Sequence, residues 1–95
     1  MEHNVNMMVK NNLEFVTINV VGDTVEERHS CIDKEVDKMF DARIRDAEAK
    51  AIKGNAEALL LYNLMITTDK VNRRKVKQGF KDVLNAMSVE DAINA

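Results

Sequence analysis

Eight residues, Leu59 to Ile66, constrain the fold of this chain more than any other segment. Seven of the eight side chains are large and apolar, and Asn63 is the exception. Successive residues of a helix point about 100° apart, so these side chains would cover nearly its whole circumference. Another element of a small domain covers only one face of a helix. The segment therefore predicts a helix that needs further apolar partners, and we expect the chain to self-associate.

The composition is typical of a single domain with a reducing, cytoplasmic location. The 95 residues are 45% hydrophobic and 32% charged, with no proline to interrupt long helices. Cys31 is the only cysteine, so no intramolecular disulfide can form. The first ten residues lack the pattern of a signal peptide, and no apolar run approaches the length of about 18 residues typical of a membrane span.

The first 22 residues predict a β-hairpin. Between Leu13 and Val21 many residues are β-branched, and Val16, Ile18 and Val20 alternate with the residues on the opposite face. A shorter alternating segment, residues 4–9, precedes a plausible loop at residues 10–12, where asparagine tolerates a positive φ. A two-stranded hairpin is marginal alone, so it should pack on a helix or pair across an interface.

Two long antiparallel helices are predicted after the hairpin, which gives an α+β, predominantly helical, oligomeric chain. Thr24 and Glu27 form a capping box for a first helix over residues 24–53. Gly54 and Asn55 suit a helix stop followed by a helix start, and the second helix spans residues 55–87. Ser88 predicts a new cap and a short tail helix over 88–95. All these elements belong to one domain, residues 1–95.

The predicted oligomer interface combines the apolar segment with the amphipathic stripe that follows it. A buried asparagine can fix the register of associated helices, so Asn63 is the candidate for that role. The interface residues of this homodimer or tetramer are Leu59, Leu61, Tyr62, Asn63, Leu64, Met65, Val76, Phe80, Val83 and Met87.

A basic stripe on the second helix is the candidate surface for a binding partner. Six Lys or Arg and no acid lie between residues 70 and 81, whereas residues 23–50 hold nine acids and six bases. The main interpretation is a solvated stripe that complements the acidic first helix of a neighbouring subunit. The alternatives are an acidic partner protein and, less favoured, nucleic acid. The candidate contact residues are Lys70, Arg73, Arg74, Lys77 and Lys81.

No pattern indicates catalysis, a cofactor or a metal. His29 and Asp33 have the i, i+4 spacing of metal ligands, but a closed zinc site needs four ligands. The carboxylates of the first helix indicate a solvated face rather than an acid–base pair. Cys31 has no histidine at an activating spacing, and the three glycines form no phosphate-binding loop. We therefore expect a protein that is not an enzyme.

The order of elements resembles the ZapA family of FtsZ-associated cell-division proteins over residues 4–75. Val20-Val21-Gly22 precedes a capped helix, residues 32–39 read IDKEVDKM beside the family's V-D-E-K-M, and Leu59–Ile66 resembles its L-A-A-L-N-I-A block. Large side chains replace small ones at residues 60–62. Gly79 and Ser88 also suggest a shorter second helix than the family's long coiled coil. The resemblance implies a dimer or tetramer whose hairpin-bearing heads cross-link FtsZ filaments.

Three functional hypotheses follow from these observations. The first is a non-enzymatic scaffold or adaptor that bridges a cytoplasmic protein assembly such as FtsZ. The second is a nucleic-acid-binding or regulatory protein that uses the basic stripe. The third is a small phage-type inhibitor that docks on a host protein.

Overall fold

The computed structural model describes the backbone of residues 4–11 and 14–94, and the side chains of these ranges as far as Met87. A β-hairpin comes first and two long helices follow, so the chain is mostly helical, as predicted. The elements are β1 (Asn4–Asn11), β2 (Glu14–Val21), α1 (Val25–Ile52) and α2 (Ala56–Asn94).

The hairpin is antiparallel and presents one apolar face to the helices. Met7 lies opposite Ile18 in the register, and Val9 lies opposite Val16. Val16, Ile18 and Val20, which the alternation placed on one face, are buried together with Met7. Both strands extend to within two residues of each other, since β1 ends at Asn11 and β2 begins at Glu14. Part of the predicted loop therefore belongs to β1, and Asn12 lies outside the described residues.

Helix α1 begins with the predicted cap. The Glu27 backbone N–H donates to Thr24 Oγ1 at 3.1 Å, which satisfies one of the unpaired N–H groups of the first turn. The Glu27 carboxylate reaches back and accepts from the Asp23 N–H at 2.9 Å. The reciprocal bond of this capping box thus lies one residue before the cap itself.

The turn between the helices uses one glycine and one asparagine. Gly54 has a φ of +85°, in the left-handed region that glycine adopts without strain. Asn55 Oδ1 then accepts from the Glu57 N–H at 2.9 Å and caps α2. The backbone of α2 stays helical through Ser88 to Asn94, so the predicted separate tail helix over 88–95 is not observed. No proline or glycine interrupts the segment after Gly79, which leaves the helix free to continue.

The core lies where the hairpin packs across both helices. Strand β2 packs mainly on α1, and β1 packs on α2. Gly79 allows this approach, because a Cβ there would lie 3.0 Å from Val9 Cγ1. The core residues on the helices are Ile32, Val36, Phe40, Val76, Phe80 and Leu84.

The helical pair extends well beyond the hairpin. The chain measures 57 × 24 × 17 Å, and the length of α2 sets the longest dimension, at about 1.5 Å per residue. Residues 41–75 are all described by the structure, and none of them is buried. Within the described residues, neither helix is long and apolar enough to cross a membrane.

Candidate self-association surface

The end of the helical pair farthest from the hairpin carries a large exposed apolar surface, here called the apolar end. Leu60 is 69% exposed and Leu64 is 59% exposed. Monomeric soluble proteins seldom expose contiguous apolar patches of this kind, and such patches commonly mark interaction sites. The apolar end consists of Ile52 on α1 and Leu59, Leu60, Leu61, Leu64 and Ile66 on α2.

The apolar end faces more than one direction because neighbouring residues of α2 point to different sides. Leu60, Leu64 and Val71 are spaced four and seven residues apart, which places them on one face. All three are exposed, so α1 does not cover this face. Leu59 and Leu61 point to other sides of the helix and are also exposed. One neighbouring helix therefore leaves most of this segment in water.

An open groove runs between the helices beside this surface. It holds a volume of about 240 Å³, and Leu61 and Met65 line its α2 side. Ala47 lies on the α1 side, with Arg43 and the Asp46–Lys50 ion pair at the rim. An apolar floor with a charged rim is the arrangement found at protein interfaces. The groove can receive an apolar side chain from another helix.

The structure divides the predicted interface residues into three groups. Leu59, Leu61, Leu64 and Val83 are exposed, and Tyr62, Met65 and Met87 are half-buried. Val76 and Phe80 are at most 1% exposed, because they pack against the hairpin and α1 of the same chain. These two residues offer no surface to another copy. Their assignment to the interface is therefore corrected to the core of the single chain.

Asn63 lies exposed on α2 among the apolar residues. Its backbone carbonyl accepts a hydrogen bond from the Thr67 hydroxyl at 2.8 Å. The register-setting role of its side chain concerns an assembly of several chains, and it stays a prediction.

The basic stripe meets the acidic first helix, but within the same chain. Lys81 Nζ lies 2.8 Å from Asp33 Oδ1, and Lys77 Nζ lies 2.9 Å from Asp37 Oδ1. The expected charge complementarity is present, whereas the expected neighbouring subunit is not required for it. Lys70 and Arg74 remain exposed, and no ion pair involves them among the described residues.

Arg73 is the most extensively paired member of the stripe. Its guanidinium lies 2.7 Å from Asp41, 2.9 Å from Asp69 and 3.2 Å from Asp37. Burial opposes its charge, but the hydrogen bonds that it donates to Asp69, Asp41 and Asp37 raise the pKa of Arg73 above its ordinary value. The hydrogen bond from Lys77 lowers the pKa of Asp37, burial opposes this shift, and the hydrogen bond from Arg73 adds to the lowering. These charges hold α1 to α2 and leave fewer bases for a partner.

Sequence reasoning left three residues out of the interface that the structure exposes at the apolar end. Leu60 and Ile66 belong to the all-round apolar segment, and their position in that segment was the signal that could have included them. Ile52, which is 77% exposed, ends α1 directly before the turn. It lay outside the segment, and only the antiparallel geometry brings the end of α1 to the start of α2.

Comparisons of this chain with protein-family models, with curated proteins and with solved structures gave no match.

Proposed function

We propose that this chain is a non-enzymatic scaffold or adaptor that assembles with copies of itself through the apolar end. The observation that carries the proposal is the exposure of five large aliphatic side chains within eight residues of α2. These side chains do not belong to the chain's own core, which lies at the hairpin. An oligomer that covers them presents several hairpin-bearing cores at a distance from its centre.

The energetics favour an assembly that forms reversibly. Covering the exposed half of one leucine or isoleucine contributes about 1 kcal/mol. A two-fold interface counts the five residues twice, which gives about 10 kcal/mol in total. Association itself costs about 4–15 kcal/mol. The two quantities are comparable, so we expect the oligomer to dissociate on dilution.

The decisive experiment is sedimentation equilibrium on the chain and two variants. Leu60→Asp combined with Leu64→Asp places charges on the apolar end without touching the core, and we expect this variant to have a lower mass than wild type. Val25→Asp is the matched control, because Val25 is also exposed but lies in the first turn of α1. It should leave the mass unchanged. A monomeric wild type, or a double variant of unchanged mass, contradicts the proposal.

As a finer proposal, the bridged assembly is a cytoplasmic polymer such as FtsZ, as the ZapA resemblance implies. Light scattering of FtsZ filaments should rise when the wild-type chain is added. The Leu60→Asp/Leu64→Asp variant should sediment with the filaments but bundle them less than wild type does, since it retains the hairpin but not the apolar end. If the wild type neither bundles nor sediments with filaments, FtsZ is not the partner.

Nucleic-acid binding is the contrasting outcome. Lys70, Arg74 and Lys75 are the members of the basic stripe without an intrachain ion pair among the described residues. Lys70 and Arg74 lie four residues apart on one face, so they would make the phosphate contacts. Binding to DNA or RNA should then weaken steeply with salt and be lost in Lys70→Glu/Arg74→Glu. That result would identify a nucleic-acid-binding protein instead of a scaffold.

A further inference from the structure

The two edges of the hairpin differ in how they are covered. Cys31 on α1 lies against the outer edge of β2, where the Val21 N–H donates to its Sγ at 3.4 Å and the thiol donates to the Asn19 carbonyl oxygen at 3.6 Å. Residues of an antiparallel strand alternate between bonding to the paired strand and pointing away from it. Since Asn19 and Val21 point away from β1, the even-numbered residues of β2 are those that bond to β1.

The register then shows which backbone groups of β1 are free. Val20, Ile18, Val16 and Glu14 lie opposite Val5, Met7, Val9 and Asn11, so these are the hydrogen-bonded pairs. The four remaining residues direct their N–H and C=O groups to the outer edge of β1. Within residues 4–11 and 14–94 no hydrogen bond reaches these groups. They belong to Asn4, Asn6, Met8 and Lys10.

Strand β1 lacks the features that protect an exposed edge. It has eight residues and pairs with β2 along its whole length without a bulge. Stable monomers usually protect such edges with short strands, proline, bulges or several charges. Here Lys10 is the one charged residue of the strand, and there is no proline. The edge is therefore a template for another strand.

We infer that β1 pairs antiparallel with β1 of a second copy, so that two hairpins form one four-stranded sheet. A two-fold axis at Met7 places Asn6 opposite Met8 of the other copy and Asn4 opposite its Lys10. All four outward-facing residues of each strand then bond. On the helix side of the sheet Val5 meets Val9 of the other copy, which covers two side chains that are half-buried in the single chain.

A second copy fits this edge because the strand is complementary to itself. The antiparallel register keeps the two Lys10 side chains at opposite ends of the contact, so no like charges oppose each other. On the helix side of the sheet, the apolar residues of one strand also lie opposite apolar residues of the other. An extended segment of a different protein is the competing occupant, and the experiments below separate it from a second copy.

This contact is independent of the apolar end and lies at a different place on the molecule. The hairpin covers α1 around Ile32 to Phe40, whereas the apolar end begins at Ile52. Two different two-fold contacts on one chain generate either a closed tetramer or an open array. The strand contact thus turns a simple dimer into a larger assembly.

Amide hydrogen exchange tests the pairing without any mutation. The amides of Asn6 and Met8 should be protected at high protein concentration and lose that protection on dilution. Thr17 lies opposite Met8 in the register and points to the outer edge of β2, so its amide is the internal control and should exchange fast throughout. If Asn6 and Met8 exchange like Thr17 at every concentration of the pure chain, the second copy is not the occupant.

Proline substitution tests the same contact by mass. In the Leu60→Asp/Leu64→Asp background we expect a concentration-dependent dimer held by β1. Adding Met8→Pro should give a monomer, whereas Thr17→Pro at the matched position of β2 should not. Circular dichroism and urea unfolding establish that both proline variants fold. Equal masses for two folded proline variants contradict the strand pairing.

The outcomes separate this inference from the proposed function. If the Leu60→Asp/Leu64→Asp variant is monomeric at every concentration, strand pairing is overturned. If wild type nevertheless self-associates, the proposed scaffold function stands. A wild type that remains oligomeric only through β1 supports strand pairing and contradicts self-association through the apolar end. Disulfide formation in Cys31→Ser chains tests the register, because Asn6→Cys and Met8→Cys chains should cross-link to each other more readily than either does to itself.

Discussion

Arg73 concentrates the ionic contacts between the two helices. Its side chain is only 17% exposed and lies within 3.2 Å of three carboxylates. The guanidinium also lies 5.7 Å from the centroid of the Phe40 ring, a cation–π contact at the margin of the core. A planar guanidinium holds five donors in fixed directions and can bind several carboxylates at once, a geometry that the compact ammonium group of lysine does not reproduce.

We expect Arg73→Gln to lower the free energy of unfolding by about 1–2 kcal/mol, as measured by urea denaturation. The loss reflects hydrogen bonds to charged groups, reduced because the aspartates are partly exposed. Arg73→Lys should lose less, because it retains the charge. Arg74→Gln is the control, and its effect should stay within about 0.5 kcal/mol. Equal effects of the two glutamine substitutions would show that the three-carboxylate contact contributes nothing.

Gly79 and Val9 should be coupled in stability. Alanine is favoured over glycine inside a helix by about 1 kcal/mol, but a Cβ at Gly79 would lie 3.0 Å from Val9 Cγ1. Gly79→Ala should therefore stabilise the chain more in a Val9→Ala background than in wild type. A double-mutant cycle by thermal or urea unfolding measures the difference. An identical effect in both backgrounds would rule out the steric contact.

At the scale of the elements, α1 and α2 are joined by two rows of opposite charge. Asp33, Asp37 and Asp41 recur every four residues on α1, and Lys81, Lys77 and Arg73 face them in reverse order on α2. The order reverses because the helices are antiparallel. This alignment fixes how far one helix can slide along the other.

The charge rows predict a dependence of stability on pH. The pKa of Asp37 is lowered in the folded chain from its ordinary value of 3.8. Its contribution is therefore complete above that value and is lost as the pH falls through the lower, folded pKa. Unfolding free energy measured between about pH 6 and pH 3 should decrease less in Asp37→Asn than in wild type. Glu48→Gln, at an exposed position of α1, should leave the wild-type slope.

The elements themselves were largely predictable because local chemistry specifies them. Alternation placed Val16, Ile18 and Val20 together on one face of β2, and Thr24 and Asn55 were recognisable as caps. The tail helix was not, because Ser88 is compatible with both a cap and a helix interior. A residue that can cap a helix does not start a new one where no proline or glycine ends the preceding helix.

At the scale of the whole molecule, stability should be concentrated at one end. Among the side chains of α2 described as far as Met87, the buried ones lie between Val76 and Leu84, whereas Leu59–Ile66 has none. Local opening is easiest where few apolar contacts are lost. In the Leu60→Asp/Leu64→Asp variant at low concentration, amides of residues 59–66 should exchange faster than those of residues 76–84. Equal protection of both segments would contradict this gradient.

The site was predictable only in part, since a periodic pattern shows an apolar face but not what covers it. The stripe with Val76 and Phe80 had the spacing of an interface, and the hairpin of the same chain covers it. Likewise the basic stripe was matched correctly to the acidic residues of α1, and Arg73, Lys77 and Lys81 pair with them within the same chain. Both findings concern contacts between residues far apart in sequence, which spacing along one helix cannot reveal.

The packing of β1 against Gly79 brings the first element of the chain onto the last. Ribosomal synthesis delivers the hairpin and α1 well before Val76, Phe80 and Leu84, which close the core. During that interval the apolar face of the nascent hairpin lacks the cover that α2 supplies, and such surfaces are prone to aggregate. The chain therefore completes its fold only after most of α2 has emerged. Loss of residues 76–84 removes the fold rather than shortening it.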